Sequence, residues 1–457
     1  MKATGQQIAA VTALLALTAM AGTPAGDNKA YADTAPAGIM RIPQPPLEKL
    51  SGRTRNRIAP ESQRVDLLVP VFSNSTRVTN SLFPISDLHS AVLVGKFEGK
   101  AWRAETTLLR ETRAVEWNGQ NIETLQSQFV AYLNGRIYEV AVDLYAQADD
   151  GSVWYFGEAA YSYEKGRIND VNETWHAGVE GPATMIMPGH PRAGDVYRPE
   201  NIPGLIFEQV TVTKINEKQE GPTGIVGGVM IGRELHMEGD LEDKSFAPGY
   251  GELRSGLGDD YEATALVVPA DALSQPLPAE LPRLSNSALG VLDAARSKDW
   301  EKASAGIDEL RGIYSSFRGR NPPKKLDAQM SETLDLLAKG IKAHDAVAAA
   351  PAAFALALGV ADLTLRYLPP AEVDRMRFEL WARELAVDAA AEDSSAVAGD
   401  VATLEWLRDR LVFSAAEVNR IEDQLRYLRA AADALDMTAA ANAADRLRAT
   451  AAGMKPK

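Results

Sequence analysis

Between Val65 and Val268 apolar and polar residues alternate in strand-length runs, and beyond Leu284 they recur at helical spacing. In "RIYEVAVDLYAQ", Ile137, Val140, Val142 and Leu144 are apolar, and Glu139 and Asp143 mark the polar face of a half-buried strand. Turn signals separate such runs: "NGQ" at Asn118, "NGR" at Asn134 and "DDGS" at Asp149. "GLIFEQVTVTKI", "GGVMIGRELHM" and "YEATALVVP" supply the later strands. Hairpin follows hairpin with no amphipathic helix between them. This predicts an antiparallel β meander curled into a partial barrel or sandwich.

"PADALSQPLPAELPRL", residues 269–284, is a proline-studded boundary. After it Ala, Leu, Arg, Asp and Glu dominate. "SNSALGVLDAARSKDWEKASAGIDELRGIYSSF" reads as two helices, the second opened by "SKDW". "NPPKKLDAQM…" gives one helix, then a nearly all-apolar helix from Ala346 to Leu365 that stops at a double proline. That helix contains Pro351 and Asp362 and reads as a buried central helix rather than a membrane span. "PAEVDRM…" gives two more helices, and "SAAEVNR…" makes up the end. The predicted class is α+β multidomain: the meander over 65–268, a Pro-rich linker over 269–284, and an all-α helical bundle over 285–457. The two folded parts are expected to fold separately, with the joint in the linker.

The first residues, "MKATGQQIAAVTALLALTAMAG", carry a lysine, a short apolar run and small-x-small sites at Ala19-Met20-Ala21 and Ala30-Tyr31-Ala32. Residues 1–32 therefore read as a signal peptide, with an uncleaved anchor as the alternative, and 33–64 as a disordered linker. Export to the periplasm or medium of a bacterium follows, with no transmembrane anchor in the mature chain. There is no cysteine, which excludes disulfides, thiolate metal centres and an N-terminal lipid anchor. The net charge of −14 disfavours nucleic acid and anionic membrane as partners. "RTRNR" at Arg53–Arg57 is the one tight basic cluster and reads as a solvated linker.

Candidate chemistry is sparse. Trp154, Tyr155 and Phe156 in "VWYFGE", with Trp175, suit an aromatic core or the wall of an apolar ligand pocket. By simple alternation Val153, Tyr155 and Gly157 face one way, and Trp154, Phe156 and Glu158 the other. "MIMPGHPRAGDVYRPE", residues 185–200, is either a soft-metal loop or a proline-braced connection. Met185, Met187 and His190 are the ligands expected for copper, and buried methionines in a structured loop are the alternative. Asp195, Arg198 and Glu200 are expected to form a structural Arg–carboxylate clasp in that loop. "GPTGIVGGVMIG" lacks the Lys-Ser/Thr ending of a phosphate loop and reads as turns and bulges.

"DGSVWYFGE", Trp175 with "AGV" and Gly181, "MPGHPRAGDVYRPE", and "FAPGYG" at Phe246 together resemble a family of uncharacterised exported bacterial proteins, many of them lipoproteins. "NSLFPI" at Asn80 is similar to that family's opening motif, and the likeness spans roughly Val78 to Leu253. The resemblance implies a β-rich fold and an envelope location, and no activity. The chain departs from the family in lacking the lipobox cysteine and in adding the helical domain. The expected function is that of an exported, non-enzymatic envelope protein binding a small ligand or a protein partner. The alternative is an extracytoplasmic copper-binding protein, and no other cofactor is expected.

Overall fold

The computed structural model describes residues 40–411 and 414–454. The leader expected over 1–32 lies outside them.

After a one-turn helix α1 (Gly52–Arg55), the chain forms β1 (Ser90–Phe97), β2 (Lys100–Trp117), β3 (Gln120–Leu133), β4 (Arg136–Gln147), β5 (Val153–Glu164) and β6 (Arg167–Asp170). Short β7 (Trp175–His176) and β8 (Thr184–Met187) follow, then β9 (Val196–Ile202), β10 (Ile206–Glu220), β11 (Ile225–His236), β12 (Leu241–Ala247), β13 (Gly251–Leu257) and β14 (Asp260–Val268). They make one antiparallel sheet in the order β6-β5-β4-β3-β2-β1-β14-β13-β12-β11-β10-β9, with β7 and β8 paired to β5. Two-residue turns with both residues at positive φ, such as Asn118-Gly119 and Asn134-Gly135, give the tight hairpins the sequence announced. The sheet curls without closing. Its two ends meet where the Thr184 hydroxyl on β8 donates to the Pro199 carbonyl on β9.

Residues 41–64, expected as a disordered linker, are instead held on this sheet. Arg64 forms a buried bidentate pair with Asp66 and bonds Gln44, and the Arg64 backbone bridges to Val196. Thr54 bonds the carbonyls of His236 and Met237. The low apolar content of this stretch hid its anchoring, which combines these polar contacts with the buried Ile42 and Leu50.

The helices are α2 (Glu280–Arg296), α3 (Trp300–Arg318), α4 (Lys324–Lys342), α5 (Ala346–Thr364), α6 (Pro370–Ala390), α7 (Ser394–Arg408), α8 (Ala415–Asp433) and α9 (Met437–Ala452). Helix α2 begins inside the expected linker of 269–284. Its Pro282 lies in the first turn, where the backbone N–H has no intrahelical acceptor to lose. The eight helices form four hairpins with one kind of turn. Lys298, His344, Glu392 and Leu435 adopt positive φ, and each is followed by an aspartate that caps the next helix. These aspartates, Asp299, Asp345, Asp393 and Asp436, recur 46, 48 and 43 residues apart.

The helices cover the outer face of the sheet. Val130, Tyr132, Ile137, Val140 and Leu266 belong to the same hydrophobic cluster as Leu356, Phe378, Trp381 and Val401. Tyr132 stacks on Trp381 at 5.3 Å. Beside them lies a buried ionic cluster. Arg103 and Arg377 both bind Asp362 of α5 at 2.7 Å, and Arg377 also binds Asp374 at 3.0 Å. Glu105 of β2 receives Arg103 at 2.6 Å, Arg377 at 3.5 Å, and Arg410. Burial pushes the Glu105 carboxyl up, but the three guanidiniums hold it well below the usual carboxylate range. The two parts expected to fold separately thus share apolar and ionic contacts.

Candidate functional site: an acidic cavity inside the sheet

The polar residues Glu139 and Asp143 of β4 do not face bulk solvent. Glu139, Ala141, Asp143 and Tyr145 line the interior of the curled sheet, while Val140 packs outward under the helices. The alternation was legible, but it does not say which face is inside.

The interior holds two adjoining chambers of about 220 Å³ and about 290 Å³, which share Phe129, Glu139, Glu208, Lys244 and Glu262. The first carries aromatic walls, with Phe97, Trp102, Phe129, Tyr138 and Tyr261, and includes the exposed Lys96. Trp102 donates to Glu262 at 2.8 Å and meets Tyr138 edge-on at 5.6 Å. The second chamber is lined by carboxyl groups from both ends of the sheet, among them Asp143, Glu158, Glu200, Glu234 and Glu252.

A bulge aims one of these groups. Simple alternation put Glu158 on the opposite face from Tyr155, yet both line the cavity. The register of β4 against β5 shifts between Asp143 and Tyr145, next to Gly157 at φ 118°. A Cβ on Gly157 would lie 2.2 Å from the Trp175 carbonyl oxygen, so only glycine lets β7 approach there. The glycine inside "VWYFGE" was the available sequence signal for this reversal.

Charge is unevenly compensated. On the β10–β12 side, Lys244 lies 2.7 Å from Glu234, and His236 lies 3.2 Å from Glu208 and 3.4 Å from Glu242. Burial opposes a charged imidazole, but bonds to Glu208 and Glu242 raise His236 to about 10. Burial pushes Glu242 up, but His236, Lys244 and the Ser255 hydroxyl bring it down to about 2. On the β4–β5–β9 side, Glu139, Asp143, Glu158 and Glu200 make no ion pair among the described residues. Burial, reinforced by Glu173, Glu262 and Asp143, pushes Glu139 up to about 8. Burial raises Asp143 to about 6 despite the Tyr155 hydroxyl that donates to it at 2.8 Å. Glu158 and Glu200 stand well above the carboxylate range, again by burial and then by neighbouring carboxylates. Glu200 is only 7% exposed, and its carboxyl makes no hydrogen bond among the described residues. The buried Tyr197 hydroxyl, close enough to Glu234, Lys244 and Glu208 to feel their charges, is also unpartnered.

The residues singled out in the sequence are placed differently from one another. Tyr155 lines the cavity and stacks on Tyr145 at 5.0 Å. Trp154, Phe156 and Trp175 are buried in the apolar cluster around Val78, Leu82 and Trp117; Trp154 donates to Ser152 and Phe156 meets Phe72 edge-on. Met185 and Met187 lie in that same cluster, whereas His190 is exposed, so the trio expected for copper is split between core and surface. The period-two placement of both methionines on a buried strand explains this.

The Arg–carboxylate clasp takes another form. Asp195 accepts from the Arg192 N–H at 2.7 Å. Arg198 bonds Asn201 at 3.1 Å, and its backbone N–H donates to Asp66. Glu200 turns into the cavity. The clasp of this region is the Arg64–Asp66 pair, supplied from the arm.

No family model, curated protein or solved structure matches this chain.

Proposed function

We propose that the protein is an exported binding protein whose curled sheet takes a small organic cation into its interior. One observation carries this reading. Glu139, Asp143, Glu158 and Glu200 form a wall of buried or half-buried carboxyl groups that no cationic side chain pairs among the described residues. Without a counter-charge such groups hold protons, because ionising them together in a low-dielectric interior is costly. A cationic ligand supplies the missing charge, and the aromatic walls of the first chamber suit its apolar part through stacking and cation–π contact. Placement outside the cytoplasm rests on the leader pattern and the absence of cysteine, and N-terminal sequencing of the mature protein checks it.

The test is a matched set of ligands of one shape and three charges: phenethylamine, phenethyl alcohol and phenylacetate. Calorimetric titration should show the amine binding, with release of protons at pH 6 to 7, and neither of the others. Equal binding of the alcohol or the acid would show that the carboxyl wall does not select the ligand.

A further inference from the structure

We propose, building on the organic-cation reading above, that the ligand is a linear polyamine, with two or more ammonium groups separated by methylene chains. A single metal ion is the obvious occupant of an acidic cavity. A divalent ion needs several donor atoms converging on one point. Among the described residues the only set offering three such atoms within 4.8 Å of one another is Glu208, Glu234 and His236. That set is already neutralised, since Lys244 Nζ lies 2.7 Å from Glu234 and His236 bridges Glu208 and Glu242. The carboxyl groups that lack a cation are elsewhere, and among the described residues no three of them bring donor atoms that close together.

They are strung out instead. Glu139 and Asp143 point the same way from β4, four residues apart, which at about 3.3 Å per residue separates them by roughly 13 Å. Asp143 is paired in register with Glu158 on β5, so two carboxyls meet at that end. Glu139 borders both chambers, and Asp143, Glu158 and Glu200 border the second. Charges spaced along two adjoining chambers complement charges spaced along a chain. Aromatic side chains between and beside the carboxyls cover methylenes and take a cation over their faces. The Tyr197 hydroxyl, fully buried in the wall of the same cavity, has no hydrogen-bond partner among the described residues and is the independent sign that a partner is missing. It is not a member of the acidic cluster.

The experiment is calorimetric titration of the mature full-length protein at pH 7.5 with spermidine, putrescine, n-butylamine and phenethylamine, and separately with Ca²⁺, Mn²⁺ and Zn²⁺. Spermidine should bind with one-to-one stoichiometry and more tightly than n-butylamine by at least about a hundredfold, as expected when two or more buried ion pairs replace one. Glu139→Gln should weaken spermidine by about ten- to a hundredfold, the loss of one charged hydrogen bond. That substitution removes an unpaired acid and leaves no charge stranded, so the variant should fold, and circular dichroism checks it. Asp143→Asn gives a second reading at the far end of the wall. If phenethylamine binds as tightly as spermidine, the polyamine assignment falls and the organic-cation reading stands. If no amine binds, both fall. If a divalent ion binds stoichiometrically and displaces spermidine, the wall is a metal site and the polyamine assignment is overturned.

Discussion

Replacing Glu105 by glutamine should destabilise the whole molecule more than any surface change. Glu105 is fully buried and faces three guanidinium groups, of Arg103, Arg377 and Arg410, themselves almost wholly buried. In the native cluster these three cations meet three carboxylates, Glu105, Asp362 and Asp374. Glutamine keeps the shape and leaves three cations facing two anions without solvent. Breaking a buried pair in this way costs about 3–5 kcal/mol. Unfolding entropy of about 2.1 cal/mol/K per residue over roughly 400 residues gives ~0.85 kcal/mol/K, so the melting temperature should fall by about 4–6 °C. That figure assumes that sheet and helices melt together, as their shared core and ion cluster imply. If each half melted alone, the affected transition of roughly 200 residues would move by about 7–12 °C and the other would stay in place. Scanning calorimetry with far-ultraviolet circular dichroism separates the two outcomes. A loss below about 1 kcal/mol would mean that the cluster is hydrated or that an arginine escapes to solvent, and the argument from burial would be wrong.

Two further outcomes follow from the cavity. Gly157→Ala places a Cβ 2.2 Å from the Trp175 carbonyl at a φ of 118°, so it should cost at least about 2 kcal/mol and abolish amine binding by turning Glu158 away; a melt and a titration on the variant check both. The ligand-free protein should melt higher at pH 5 than at pH 8. A carboxyl with a raised folded pKa favours the folded state below its ordinary pKa and loses that advantage as pH rises through the raised value. Glu139 at about 8, Glu173 and Glu234 at about 7 and Asp143 at about 6 all act in this window. His236, raised to about 10, acts in the same direction between its ordinary pKa and that value. A melting temperature that rises from pH 5 to 8 would contradict the burial of these acids.

The order of elements was legible because it depends on local chemistry. Asn-Gly turns fixed two hairpins, and the change from period two to helical spacing marked where the sheet ends. The helix hairpins carried a recurring signal, an aspartate after each turn in "KDW", "HDA", "EDS" and "LDM", which the sequence reading used at "KDW" alone. The site was not legible for two physical reasons. Alternation in "YEVAVDLY" identifies two faces, but the choice of inner face is made by what covers the other one, hundreds of residues away. Bulges then break the parity, as at Gly157, so Glu158 cannot be assigned by counting. The methionines and the aromatic run attracted attention as rare residues, and rarity here marks packing.

The inversion of the sheet also gives the helices a role. A curled sheet in water ordinarily buries its apolar face inward and presents polar residues to solvent. Here Val130, Val140 and Leu266 face outward, which is tolerable only because the helices cover them. That cover allows the inner face to carry acids beside its apolar residues. The cost of keeping those acids out of bulk water is offset elsewhere, in the outer interface, where Tyr132 meets Trp381 and the Arg103–Asp362 pair joins β2 to α5. The cavity and the helical domain are therefore physically linked. Changes that loosen the helices, such as Glu105→Gln, should weaken cation binding without touching a cavity residue, whereas Glu139→Gln should alter binding and leave the helices in place. Measuring both properties on both variants tests that linkage. Equal amine affinity in Glu105→Gln and the parent, despite a lowered melting temperature, would show that the sheet holds its curl unaided.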